Sequence, residues 1–170
     1  VLSLPADVDV GFAIVQLRER NDTTLECIYV VARDGLLAGA VRIPAIVTAP
    51  NGDLIVAIDE RVPSCSDLKD NKDINIVIRR STDQGKTWSD IETVADFPFG
   101  TSVSDPSMIV DKVTDEIFMF YNYMDLDKEK GVYYFHVVKS ADNGKTWSEP
   151  VNITSQIAKP EWHHDFKFIT

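Results

Sequence analysis

Two arginines and several aspartates stand at points of the chain where they could converge on one ligand. Arg42 precedes Ile43-Pro44 and the apolar run 45–49. Arg61 follows the run 54–59 and Glu60, and Asp67, Asp70 and Asp73 lie in or beside the turn-rich segment that starts at Val62. A guanidinium offers paired planar donors that match the two oxygens of a carboxylate, and a loop carboxylate can give and take a proton. Bland accounts stand beside these. Arg42 could be a strand-end residue paired with one of many acids, the three loop aspartates could be solvated, and Asp105-Pro106 is by itself a turn opener.

Short strands must position these groups. Apolar runs rich in Val, Ile, Tyr and Phe recur at 11–17, 27–32, 44–49, 54–59, 74–80, 108–111, 117–123 and 132–139, with turn chemistry between them and no sustained helical period. The chain reads as all-β. Asn51-Gly52 between two apolar runs, and Asp83 to Gly85 after the run 74–80, are hairpin signals that fit antiparallel meanders. Residues 117–121 are apolar on both faces, which predicts protein on each side of that strand. The tyrosines at 29, 121, 123, 133 and 134 all fall in such apolar patterns and read as packing residues.

Charge and composition exclude several roles. With 17 Lys+Arg against 27 Asp+Glu, the net charge of −10 argues against binding nucleic acid, which needs a basic face, though not against a small anion answered by local arginines. No run of about 18 apolar residues exists, so no membrane span is expected, and residues 1–10 show no export signal. Cys27 and Cys65 are too few for a disulfide framework. His163 and His164 are adjacent, so on a strand they point to opposite faces and rarely share one ion; no metal site is expected. His136 falls inside a strand pattern and reads as packed, and Asn21 and Asn152 open glycosylation-type triplets.

The chain also repeats itself. Ser81-Thr82-Asp83-Gln84-Gly85-Lys86-Thr87-Trp88-Ser89 recurs as Ser140-Ala141-Asp142-Asn143-Gly144-Lys145-Thr146-Trp147-Ser148, an offset of 140 − 81 = 59 residues, each copy after a strand ending in a basic residue. Asp83 and Asp142 can accept hydrogen bonds from turn amides, Gly85 and Gly144 permit positive φ, and Trp88 and Trp147 supply apolar anchors. An interval of this size is about one four-stranded blade, so the chain amounts to roughly three blades of a β-propeller, a fold that closes with about four to eight.

The repeated pattern resembles the Asp box, a turn signature of sialidases and other propeller families, here at 81–88 and 140–147. In those families it joins the third and fourth strands of a blade away from the catalytic face, which implies structural roles for Ser81, Asp83, Gly85, Trp88, Ser140, Asp142, Gly144 and Trp147. Arg42-Ile43-Pro44 resembles the Arg-Ile-Pro motif of bacterial sialidases. Proline at the head of a strand running to Ala49 suits the innermost strand of a blade, with Arg42 pointing into the central channel. The resemblance implies an N-terminal portion, residues 1–170, of a six-bladed sialidase propeller whose remaining blades lie elsewhere.

The resemblance also implies a chemistry. The substrate is terminal sialic acid on glycoproteins, glycolipids or oligosaccharides, cleaved with retention and without a cofactor by a secreted, periplasmic or cell-surface enzyme. Arg42 is then one of three arginines on the substrate carboxylate. Arg61 and Asp105 contact the sugar, and Asp67 is the acid and base, favoured over Asp70 and Asp73 by its register after Arg61. The substrate's own negative charge repels a carboxylate nucleophile, so a tyrosine assisted by a glutamate attacks; these, with the other two arginines, belong to later blades. A 170-residue piece alone is expected to be inactive. Two alternatives share the scaffold: a non-catalytic Asp-box propeller that binds glycan or protein, and a trans-sialidase or another glycosidase.

Overall fold

The computed structural model describes residues 45–62 and 66–159 in full, and the backbone of three strands before them. Those three, β1 (Ser3–Pro5), β2 (Cys27–Val31) and β3 (Leu37–Arg42), form one sheet, with β1 parallel to β2 and β2 antiparallel to β3. The remaining strands build two meanders. In the first, β4 (Ala45–Thr48), β5 (Leu54–Arg61), β6 (Asp73–Ser81) and β7 (Glu92–Ala95) pair antiparallel in sequence order. In the second, β8 (Thr101–Val110), β9 (Ile117–Asp125), β10 (Tyr134–Ser140) and β11 (Val151–Asn152) do the same. Each is a four-stranded blade, and a short parallel contact of Asp73 with Thr101 and Ile74 with Ser102 joins them.

The core lies between the blades. Ile55, Ala57, Ile76 and Ile78 of the first meet Val103, Ile117, Met119, Tyr121 and Val138 of the second. The odd positions of β9 face this core, as a period of two requires. Phe118 and Phe120, on the other face, stack on each other with centroids 6.5 Å apart and stay half-buried, while Asn122 and Met124 further along that face are fully buried. His136 lies flat on Tyr123, centroids 4.6 Å apart, and burial drives its pKa down to about 4.

Antiparallel order sends the strand ends to two rims. The β4–β5 hairpin and the C-terminal ends of β6 and β10 share one, where both Asp boxes sit between third and fourth strands. Their bonding is the same. Ser81 Oγ donates to Asp83 (2.8 Å) and accepts from Gly85 N (2.7 Å), while Asp83 accepts from Thr87 N (2.8 Å) and Thr87 Oγ1 (2.6 Å). Ser140, Asp142, Gly144 and Thr146 repeat this at 2.8, 2.8, 2.9 and 2.7 Å. Gly85 and Gly144 have φ of 86° and 78°, the left-handed region that favours glycine. Trp88 Nε1 donates to Gly85 O (3.2 Å), and Trp147 packs on the core.

The chain departs from its hydrophobic pattern in places. The strand expected at 108–111 starts at Thr101, because Ser102 and Ser104 are fully buried and so disguise its inward face. Ser102 Oγ donates to Asn71 O, which supplies the partner a buried hydroxyl requires. The short strands β7 and β11 were not legible as apolar runs. The expected strand at 11–17 lies outside the described residues, as do Cys65, Asn21 and residues 160–170 with His163 and His164.

Candidate active site

The rim opposite the Asp boxes collects the end of β5, the loop into β6, the start of β8, the end of β9 and the start of β10. On β5, Asp59 and Arg61 are two residues apart and therefore share a face. Arg61 Nη2 donates to Asp59 Oδ2 and to Asp67 Oδ1, both at 3.1 Å. Asp67 caps a 3₁₀ turn, Leu68–Asp70, by accepting from Leu68 N at 2.9 Å. Leu68 is buried with Met124, Leu126 and Tyr133 in a small apolar cluster that pins this loop to the second blade. Met124 and Tyr133 come from the end of β9 and the approach to β10.

Asp105 enters from the second blade. It has φ of 54° and sits in a bulge where the β8–β9 register shifts between Ser104 and Ser107. A left-handed residue before proline is uncommon, aspartate tolerates it better than most, and such strain concentrates at functional sites. The bulge re-aims the side chain. Asp105 N donates to Asp59 Oδ1 at 3.0 Å, and Asp105 Oδ2 accepts from Asn122 Nδ2 (3.1 Å) and Ser104 Oγ (3.0 Å). The result is one continuous chain of bonds across two blades: Asp67, Arg61, Asp59, Asp105, Asn122.

Two carboxylates on one guanidinium, with Asp105 bonded to one of them, make the electrostatics of this rim unusual. Burial, aided by the Asp105 charge, pushes Asp59 up to about 6, against the pull of Arg61 and the Asp105 amide. Burial and then the charges of Asp67, Asp105 and Asp70 raise the Tyr133 phenol. The arrangement can orient a hydroxylated ligand through Arg61 and Asp105, and it presents an exposed acid, Asp67, at the mouth.

The sequence candidates divide as follows. Asp67, Arg61 and Asp105 come together. Asp70 turns to Lys130 (3.3 Å), and Asp73 opens β6 with its amide on Asn71 Oδ1 (3.0 Å). Arg42 closes β3 opposite Cys27, whereas β4 begins at Ala45. Arg42 therefore does not head the strand that runs toward Ala49. The Arg42 side chain and residues 43–44 lie outside the described residues. Tyr121 and Met124 are fully buried.

Sequence reasoning missed Asp59, Asn122, Tyr133 and one pair. The signal for Asp59 was its i, i+2 spacing to Arg61; for Asn122 it was an amide inside an aromatic strand, which must find a partner when buried. Tyr134 Oη donates to Glu129, so a Tyr–Glu pair does exist on this rim. Glu129 raises that phenol to about 12 and so keeps it protonated. Among the described residues no group of His, Cys, Asp and Glu could hold a metal ion, and no helix is long and apolar enough to cross a membrane.

Residues 43–170 match the BNR repeat-like domain family. A sialidase of Bacteroides fragilis is 33% identical over 146 residues, covering 74% of this chain and 26% of that protein. A sialidase of Micromonospora viridifaciens is 32% identical over 139 residues, covering 74% and 21%. Among solved structures, the Hadza microbial sialidase Hz136 superposes with a TM-score of 0.61 at 31% identity, over 72% of this chain and 27% of that one. The chain thus spans about a quarter of the length of these relatives. Two Asp boxes in successive blades, a strained acidic cluster on the opposite rim and these likenesses lead to one conclusion: the chain belongs to the BNR repeat-like family and forms part of a bacterial-type sialidase propeller.

Proposed function

We propose that this chain is the N-terminal part of a six-bladed exo-α-sialidase, which removes terminal sialic acid from glycoconjugates with retention of configuration. The observation that carries the reading is Arg61 bridging Asp67 to Asp59, whose other oxygen takes the Asp105 amide, on the rim away from the Asp boxes. Asp67 is the acid that protonates the leaving oxygen and the base that then activates water. Its exposure gives it access to substrate, and its cap on Leu68 fixes its direction. Arg61 and Asp105 hold the sugar hydroxyls, and Arg42 receives the carboxylate. Carboxylates alone would repel an anionic sugar, so two further arginines, a tyrosine and its glutamate come from the rest of the ring. The same reading places the protein outside the cell, in the periplasm or on the cell surface, with sialylated glycans as its partners.

The test uses the complete protein on sialosides with poor and with activated aryl leaving groups. Asp67→Ala is expected to lower turnover of the poor leaving group by roughly 10²–10⁴ and that of the aryl sialoside far less, since only the former needs protonation. Equal losses on both would count against Asp67 as the acid. No cleavage by the wild-type protein would remove the enzymatic reading and leave a glycan- or protein-binding propeller.

A further inference from the structure

We propose that Asp59 is the positioning residue of this site: its two carboxylate oxygens hold Arg61 and the backbone of Asp105, and through Arg61 they fix where Asp67 stands. The inference rests on the sialidase reading for its consequence in turnover, but the contacts themselves do not depend on it. One oxygen takes Arg61 Nη2 at 3.1 Å, and the other takes the Asp105 amide at 3.0 Å. Arg61 belongs to the same strand, whereas Asp105 starts the next blade, 46 residues on. The side chain is therefore the only described group that bonds both halves of the cluster.

Its location supports this role over simple packing. The Asp59 side chain is only 10% exposed and stands opposite Ile76 across the β5–β6 ladder, where an apolar residue would fit at lower cost. A buried carboxylate is retained here against its own desolvation, which shows in its reluctance to ionise. The Asp105 amide it accepts belongs to a residue at φ 54°, and the bond helps to hold that strained backbone in place. The charged groups around Asp59 are Arg61 on its own strand, Asp105 on β8, and Asp67 on the loop, reached through Arg61; β6 contributes none directly opposite.

Asp59→Asn, made in the complete protein, keeps an acceptor for the Asp105 amide but removes the charge that holds Arg61. The kcat/KM for sialoside is expected to fall about tenfold or more, and further for poor than for activated leaving groups, because Arg61 and, through it, the acid Asp67 lose their fixed positions. In the wild type, kcat/KM is expected to decline as the pH falls through about 6, where Asp59 takes up its proton, and this limb is expected to vanish in Asp59→Asn. Unchanged kcat/KM, or a loss that leaves the acid limb intact, overturns the proposal and makes Asp59 a structural residue. A carbon-13 titration of the Asp59 carboxyl reads the contact without turnover. A midpoint near 6 that moves upward in Arg61→Leu is expected; a midpoint that ignores Arg61 overturns the proposal. Should the wild type cleave no sialoside while the titration behaves as stated, the sugar reading fails and the hold of Asp59 on Arg61 stands.

Discussion

The two rims of the blades use the same side chain in opposite ways. On the Asp-box rim, Asp83 and Asp142 each collect hydroxyl and amide donors from their own turn, and those donors pull the carboxyl down to about 2. On the other rim, Asp59 is buried beside a second carboxylate and is pushed up to about 6. One rim is built within a few residues, and its Ser, Asp, Gly and Thr bonds repeat from box to box. The opposite rim is built from β5, the loop into β6, β8 and β9, and it occurs once. Local, satisfied, low-pKa chemistry marks a part that stabilises; long-range, strained and desolvated chemistry marks a part that acts.

The sharpest way to break this contrast is to loosen each rim and ask whether turnover notices. Leu68→Ala removes the plug beside Asp67 and is expected to cost about 2–5 kcal/mol, as for a buried leucine truncated to alanine. It is also expected to slow turnover of poor leaving groups more than activated ones, because the acid's loop is what loosens. A lower melting temperature with an unchanged leaving-group ratio would detach the plug from the site.

A smaller effect separates the rims by pH. The folded pKa of Asp59 lies above its ordinary 3.8, so the native state binds this proton more tightly than the unfolded chain does. The stability it contributes is full below 3.8 and is lost as the pH rises through about 6; 6 − 3.8 = 2.2 pH units correspond to about 3 kcal/mol. Asp83 and Asp142 run the other way, with stability present above 3.8 and lost as the pH falls through about 2. The melting temperature of Asp59→Asn relative to wild type is therefore expected to be higher at pH 7.5 than at pH 4. Parallel melting curves for the two proteins across that range would contradict the burial of Asp59.

The smallest effect is on the box rim. Gly144 has φ 78°, and an added Cβ there would run into Ile55 of the first blade. Gly144→Ala is expected to cost about 1–3 kcal/mol through strain and crowding while leaving kcat/KM unchanged. A change in kcat/KM would show that the rims are coupled through the interblade core.

How much of this was legible follows from sequence distance. Asp83 and Thr87 bond within four residues, so the Asp boxes could be read residue by residue, as could the Asn51-Gly52 hairpin. Arg61 and Asp67 lie six residues apart, so their spacing singles out Asp67 in its loop, while the bond between them comes only with the fold. Asp59 was passed over as the last residue of an apolar run because its partner at 105 arrives only through the fold. Thr101–Ser104 was missed because Ser102 and Ser104 are buried polar residues, satisfied by groups that hydropathy does not see.

The sequence by itself determined the all-β architecture, the blade-sized repeat and the turn chemistry, since each depends on side-chain alternation or on bonds closed within a few residues. Only the tertiary structure decided which aspartate lies beside which arginine, which strand Arg42 ends, and which carboxylate is driven up by burial. Those outcomes depend on two blades meeting face to face, where desolvation and charge act over distances that chain order does not encode.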